Sequence, residues 1–197
     1  MRKARPEDKK LVKQILSKSF IENRSINYVV KQDVRRLKRI NHLMEYSFDV
    51  CSDFGEVFIS EDGNGCVLVL FPHLKRTTFR GIKLDILLAI KAIGLLRIFT
   101  VLGREAKIKK YHSKSPFAYL WFIGVDTEFQ KKGIGSELMN TILNRYEKAG
   151  LPVYLETSTL SNLPWYKRHG FHVYREIDFT YKLFLLKREL KSEIIFK

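Results

Sequence analysis

The sequence predicts an α/β fold built on a mixed sheet. Three observations lead there. An apolar run, Tyr119 to Val125, suits a strand buried on both faces. The loop Gln130-Lys131-Lys132-Gly133-Ile134-Gly135 then opens a helix whose apolar positions Ile134, Leu138, Ile142 and Tyr146 recur every four residues, one buried face. Ala149-Gly150-Leu151-Pro152 stops that helix, and Val153 to Thr157 is again strand-like. Strand, helix and strand over 119–157 imply one parallel pair joined by a right-handed crossover.

The other elements follow in chain order. Leu11, Val12, Ile15, Leu16 and Phe20 at helical spacing predict a helix over about Glu7 to Asn23. Val30, Val34, Leu37, Met44 and Phe48 predict a second, ending before an Asp53-Phe54-Gly55 turn. Glu56 to Ser60 and Cys66 to Phe71 read as strands joined by the hairpin turn Glu61-Asp62-Gly63-Asn64-Gly65, and Pro72 closes the second. Ile82 to Leu102 reads as one or two helices with Lys83, Lys91 and Arg97 on a narrow polar side. Such helices can complete the core, cover a cleft or lie on a membrane, and the first two are preferred. Arg104 to Lys114 suits a loop or the end of that helix. Leu163 to His169 is a short helix stopped by Gly170, and Phe171 to Tyr174 and Phe179 to Leu186 close the sheet.

The 197 residues, 45% hydrophobic and 29% charged, fit a single globular domain with a proper core. Cys51 and Cys66 form no C-x-x-C pair and sit in no Cys/His cluster, so neither a disulfide framework nor a metal site is expected. The charged start, M-R-K-A-R-P-E-D-K-K, does not lead into an apolar leader, and the charges within 82–102 interrupt any membrane span. A cytoplasmic protein is the expectation. A net charge of +15 suits a polyanionic ligand or nucleic acid. Its spread along the whole chain, with the aromatics in apolar runs, argues against nucleic acid.

The stretch after Val125 carries chemistry. The first N–H groups of a helix have no intrahelical partner, and the helix dipole adds partial positive charge. Gly133 and Gly135 lack a Cβ, which lets a phosphate approach the backbone, and Lys131 and Lys132 add two cations. The loop is neither a P-loop nor a G-x-G-x-x-G fingerprint. Two glycines at a helix start can also serve only to pack helix on strand.

This loop and the residues after it resemble the GNAT superfamily of acyl-CoA-dependent N-acetyltransferases. Gln130 to Gly135 fits the family's [Q/R]-x-x-G-x-[G/A] loop at every fixed position. The second motif reads Tyr154-Leu155-Glu156-Thr157-Ser158, then Asn162, Tyr166 and Gly170-Phe171. The likeness is strongest over Phe117 to Tyr174, with a cofactor-binding core at about 117–175. It implies a mostly antiparallel sheet with one splayed parallel pair flanked by helices, and acetyl-CoA as acyl donor with no metal. The acceptor would be an amine on a small molecule or peptide, met by segments 20–50 and 77–114. By the same resemblance Ile123 would offer an oxyanion-binding N–H and Val125 would pair with the pantetheine arm. Lys131, Lys132, Gly133, Ile134, Gly135 and Ser136 would take the pyrophosphate. Asn162 would touch the cofactor arm, and Tyr166 would protonate the leaving thiolate.

One position departs from the pattern. Several members carry a glutamate base early in the central strand, where this chain has Tyr119, a poor base with a reference pKa of about 10. Glu156 on the neighbouring strand is the preferred replacement, His112 the second, and a water relay or an amine arriving neutral the third. A CoA-binding regulatory module without catalysis is the alternative function, and a basic nucleic-acid-binding protein a more distant one.

Overall fold

The computed structural model describes residues 1–191. One seven-stranded sheet holds it together, in the order β1-β2-β3-β4-β5-β7-β6. The strands are β1 (Arg2–Lys3), β2 (Gly55–Ile59), β3 (Gly65–Leu70), β4 (Ala118–Val125), β5 (Val153–Thr157), β6 (His172–Asp178) and β7 (Lys182–Arg188). Among the described residues only β4 and β5 run parallel. Helices α1 (Lys9–Ser19), α2 (Arg24–Val29) and α3 (Arg36–Phe54) contribute to a core on one face, with Leu16, Met44, Ile59 and Leu68 at its centre. Helices α6 (Ile134–Lys148) and α7 (Leu163–Arg168) pack on the other, around Leu138, Ile142, Leu155 and Val67. Between β3 and β4 the chain forms α4 (Phe79–Leu88), a π turn over Ala89–Ile93, and α5 (Ile98–Lys109).

The second expected helix is divided. α2 ends at Val29, the chain turns, and α3 starts at Arg36, leaving Val34 fully exposed. Polar side chains hold the turn: Gln32 donates to the carbonyls of Asn27 and Val30, and Asp33 accepts from the Arg35 N–H and the Arg39 guanidinium. The expected turn at 53–55 is absent, because α3 runs to Phe54 and passes straight into β2. Gly55 is there for closeness: a Cβ on it would lie 2.0 Å from the Val69 carbonyl oxygen. The 82–102 region is two helices bent by 100° at Gly94, whose φ of +82° suits glycine. The last strand starts later than expected. Phe179 to Tyr181 turn the chain from β6 into β7, and their rings pack on Tyr28 instead of forming strand.

β4 is not buried on both faces throughout, as its apolar run suggested. Burial alternates along it, with Tyr119, Trp121, Ile123 and Val125 half-buried. A register shift against β3 leaves Trp121 as an extra residue, a β-bulge. Before the bulge, Ala118 and Leu120 face the α6 side; after it Phe122 faces the α1–α3 side and Ile123 turns to α6.

Candidate active site at the strand splay

The β4–β5 ladder has two register pairs, Ala118 with Val153 and Tyr119 with Tyr154. Beyond them the strands part. On the other edge of β4 the Asp126 N–H donates to the Asn64 carbonyl at 2.8 Å, and the Gly65 N–H is taken by the Ser60 hydroxyl of its own hairpin. Alternation along the strand therefore turns the N–H groups of Ile123 and Val125 away from β3, into the gap where β5 has left. The Val125 carbonyl on that edge accepts from the Ser19 hydroxyl at 2.7 Å and the Gln130 amide at 3.2 Å. A cavity of about 1810 Å³ fills the gap.

The glycine loop closes one end of this cavity. Lys131 has φ +62° and Gly133 φ +88°, left-handed conformations that curl the backbone into a concave row of N–H groups. Gly133 caps α6, and its carbonyl accepts from Ser136 and Glu137 at 2.9 and 3.0 Å, which leaves Ile134 and Gly135 as the first helical N–H groups without an intrahelical acceptor. A Cβ on Gly135 would meet Val125 and Trp165 at 3.7 and 3.8 Å, so the fold leaves room above that residue. The Trp165 indole donates to the Ser136 hydroxyl at 3.1 Å and ties α7 to the start of α6. Gln130, Lys131, Gly133, Ile134, Gly135 and Ser136 all line the cavity. Lys132 does not; its ammonium lies over the Phe129 ring, 4.7 Å from the centroid.

Asn162 and Tyr166 line the same cavity from α7. Asn162 stands at the helix N-cap, yet its side chain makes no capping hydrogen bond. Tyr166 is buried against Trp165 and Phe171, and burial pushes its hydroxyl pKa well up, so it stays protonated.

Glu156 projects from the opposite face of β5 to Leu155, which is core. Its Oε2 accepts from the Tyr119 hydroxyl at 2.6 Å, and its Oε1 lies 2.8 Å from His112 Nε2. Burial first, and then the Glu156 charge, hold the Tyr119 hydroxyl protonated. The three side chains named as base candidates or their substitute thus form one chain of hydrogen bonds, although 37 and 44 residues separate them from Glu156 in sequence. Beyond them the cavity becomes an apolar chamber walled by Val29, Leu43, Trp121, Leu88, Ile98 and Val101, with Tyr46, Asp85 and Glu105 among its polar groups. Buried Arg104 braces it, donating to the Tyr181 hydroxyl at 2.9 Å and the Ser25 hydroxyl at 2.6 Å. Sequence reasoning missed Ser19, Arg104 and Trp165. Only Trp165 had a signal, its place beside Tyr166.

Residues 89–171 match the model of the Acetyltransferase (GNAT) family. Through that segment the chain is similar to the GNAT family. It takes in the splayed strands, the glycine loop, Asn162 and Tyr166. An uncharacterized N-acetyltransferase of Schizosaccharomyces pombe is 43% identical over 62 residues, which is 32% of this chain and 25% of that protein's length. Solved GNAT-like structures share the fold at low identity. A histone acetyltransferase HPA2-related protein from Corynebacterium glutamicum aligns with a TM-score of 0.68 at 15% identity, over 96% of this chain and 94% of that one. Arylalkylamine N-acetyltransferase 2 from Aedes aegypti aligns at 0.61 and 16%, over 96% and 98%. Chaetomium thermophilum Naa20, solved with a bisubstrate analogue, aligns at 0.53 and 16%, over 100% and 89%.

Proposed function

We propose that this chain moves an acetyl group from acetyl-CoA to a primary amine by direct attack. The observation that carries the proposal is the pair of cleft-facing N–H groups, Ile123 and Val125, in one cavity with the glycine loop at the start of α6. The loop N–H groups of Lys131, Gly133, Ile134 and Gly135 take the pyrophosphate. The edge of β4 at Val125 pairs with the pantetheine arm, and Asn162 offers its unused amide to it.

In the reaction the amine nitrogen attacks the thioester carbon and the carbon–sulfur bond breaks. The Ile123 N–H faces the carbonyl oxygen as it gains charge, a contact worth ~3 kcal/mol in such reactions. Tyr166, kept protonated by burial, gives its proton to the departing sulfur. The amine's proton passes to the Glu156–His112 pair, directly or through water. Tyr119 serves to fix Glu156 and is not itself the base. Aromatic and aliphatic chamber walls with carboxylates among them suit an amine carried on an apolar body.

The test is a screen of arylalkylamines, polyamines and peptide N-termini with acetyl-CoA, read as free thiol released. Acetylation of at least one amine class is expected. CoA binding without thiol release on any amine would leave a binding module, and no binding at all would overturn the proposal.

A further inference from the structure

The α4–α5 pair presents apolar side chains on two sides. Its inner side completes the core and the chamber through Leu84, Leu88, Ala92, Ile93 and Val101. Its outer side has no partner among the described residues. On α4 and its π turn, Phe79, Ile82, Ile86 and Ile90 fall within less than a quarter of the helical circumference, and all are exposed. Leu95, Leu96, Phe99 and Leu102 continue the exposure through the bend and along α5. Phe79, Leu96 and Phe99 are 95%, 99% and 85% exposed, so they stand out as a ridge and line no groove.

The charge around this ridge has one sign. Residues 75–110 hold ten lysines and arginines against two carboxylates, Asp85 and Glu105, which is +8 of the chain's +15. Both carboxylates are engaged: Asp85 accepts from the Tyr46 hydroxyl at 2.7 Å, and Glu105 pairs with buried Arg104. Lys75, Arg76, Lys83 and Lys91 are exposed and have no carboxylate within 4 Å among the described residues. By length and composition the bent pair passes as a broken span, while no single described helix is long and apolar enough to cross a membrane.

We propose that the outer face of α4–α5 docks on the surface of an anionic lipid bilayer, its apolar ridge among the acyl chains and its lysines and arginines among the headgroups. Protruding aliphatic and aromatic side chains fit a fluid surface, which needs no matching groove. The surplus of cations selects anionic lipid. It also opposes a second copy of this chain, which would set two faces of the same charge against each other. The inference is independent of the acetyl-transfer reading and its test uses no activity.

The purified full chain is floated with vesicles of phosphatidylcholine alone and with vesicles containing about 30% phosphatidylserine, at about 0.1 M salt. The expected result is binding to the anionic vesicles at least about tenfold stronger than to the neutral ones, weakened by salt. The double variant Leu96→Ser/Phe99→Ser removes two side chains that touch solvent, so its melting temperature should match the parent, and it should lose about tenfold or more in vesicle binding. Sedimentation equilibrium and titration with poly-glutamate run alongside. No binding to anionic vesicles, equal binding to both vesicle types, or a double variant that binds like the parent overturns the proposal. So does a parent oligomer that the variant dissolves, which would assign the face to a second copy. Tight poly-glutamate binding without vesicle binding would assign it to an acidic polypeptide.

Discussion

Replacing Gly135 by valine separates the binding role of the loop from its folding role. Gly135 is the second residue of α6, and a Cβ there would meet Val125 and Trp165 at ordinary contact distances of 3.7 and 3.8 Å. Its φ is not in the left-handed range, and valine is a slightly better helix former than glycine, by less than ~1 kcal/mol. Stability should therefore hold within ~1 kcal/mol. The two added methyl groups would stand between the end of β4 and α7, over the N–H groups offered to phosphate. Losing two hydrogen bonds to a charged group costs ~3–6 kcal/mol at about 1.5–3 each. Acetyl-CoA or CoA should then bind roughly 10²- to 10⁴-fold more weakly. Calorimetric titration with CoA measures the loss, and urea unfolding checks the fold. Gly133→Ala is the contrasting variant. Nothing lies within 4 Å of its Cβ, but φ +88° should cost the alanine chain ~1–2 kcal/mol of stability. A Gly135→Val chain with parental stability and a CoA dissociation constant within about threefold of the parent would refute the phosphate cradle.

Three further outcomes are expected. Tyr166→Phe should leave CoA affinity unchanged and lower turnover by about 10²- to 10⁴-fold, and a change within about twofold would make Tyr166 a packing residue. Glu156→Gln keeps a side chain able to pair with both Tyr119 and His112, so the fold should persist. Its kcat/KM should fall at neutral pH, where an alkylamine is almost wholly protonated, and recover in part as pH rises toward the amine's own pKa; a pH–rate profile identical to the parent's would remove Glu156 from the proton path. Glu56→Ala should lower stability by ~2–4 kcal/mol without touching CoA binding, because it strips the Arg145 guanidinium, held at 2.6 and 2.9 Å, and the buried Tyr146 hydroxyl of their shared acceptor. An unchanged urea midpoint would show that water replaces the carboxylate without loss.

The sequence by itself determined the parts whose signals are local. The loop from Gln130 to Gly135, the period-four face of α6, and the spacing of Asn162, Tyr166 and Gly170-Phe171 are short-range patterns, set by helix geometry and by the backbone freedom of glycine. Helix ends were less legible. The Asp33 turn and the Gly55 crossing depend on polar side chains and a neighbouring carbonyl that arrive from elsewhere in the chain or act against the apolar pattern. Only the tertiary structure decided that the β4–β5 ladder stops after Tyr119, that Trp121 bulges and turns Ile123 toward α6, and that β7 enters between β5 and β6. It also decided that His112, Tyr119 and Glu156 meet. Those three stand on a loop and two strands, and no sequence interval encodes their contact, because pairing register and strand twist set it across the sheet. The outer face of α4–α5 is the opposite case: its apolar residues were plain in the sequence, and only the packed structure left them facing solvent.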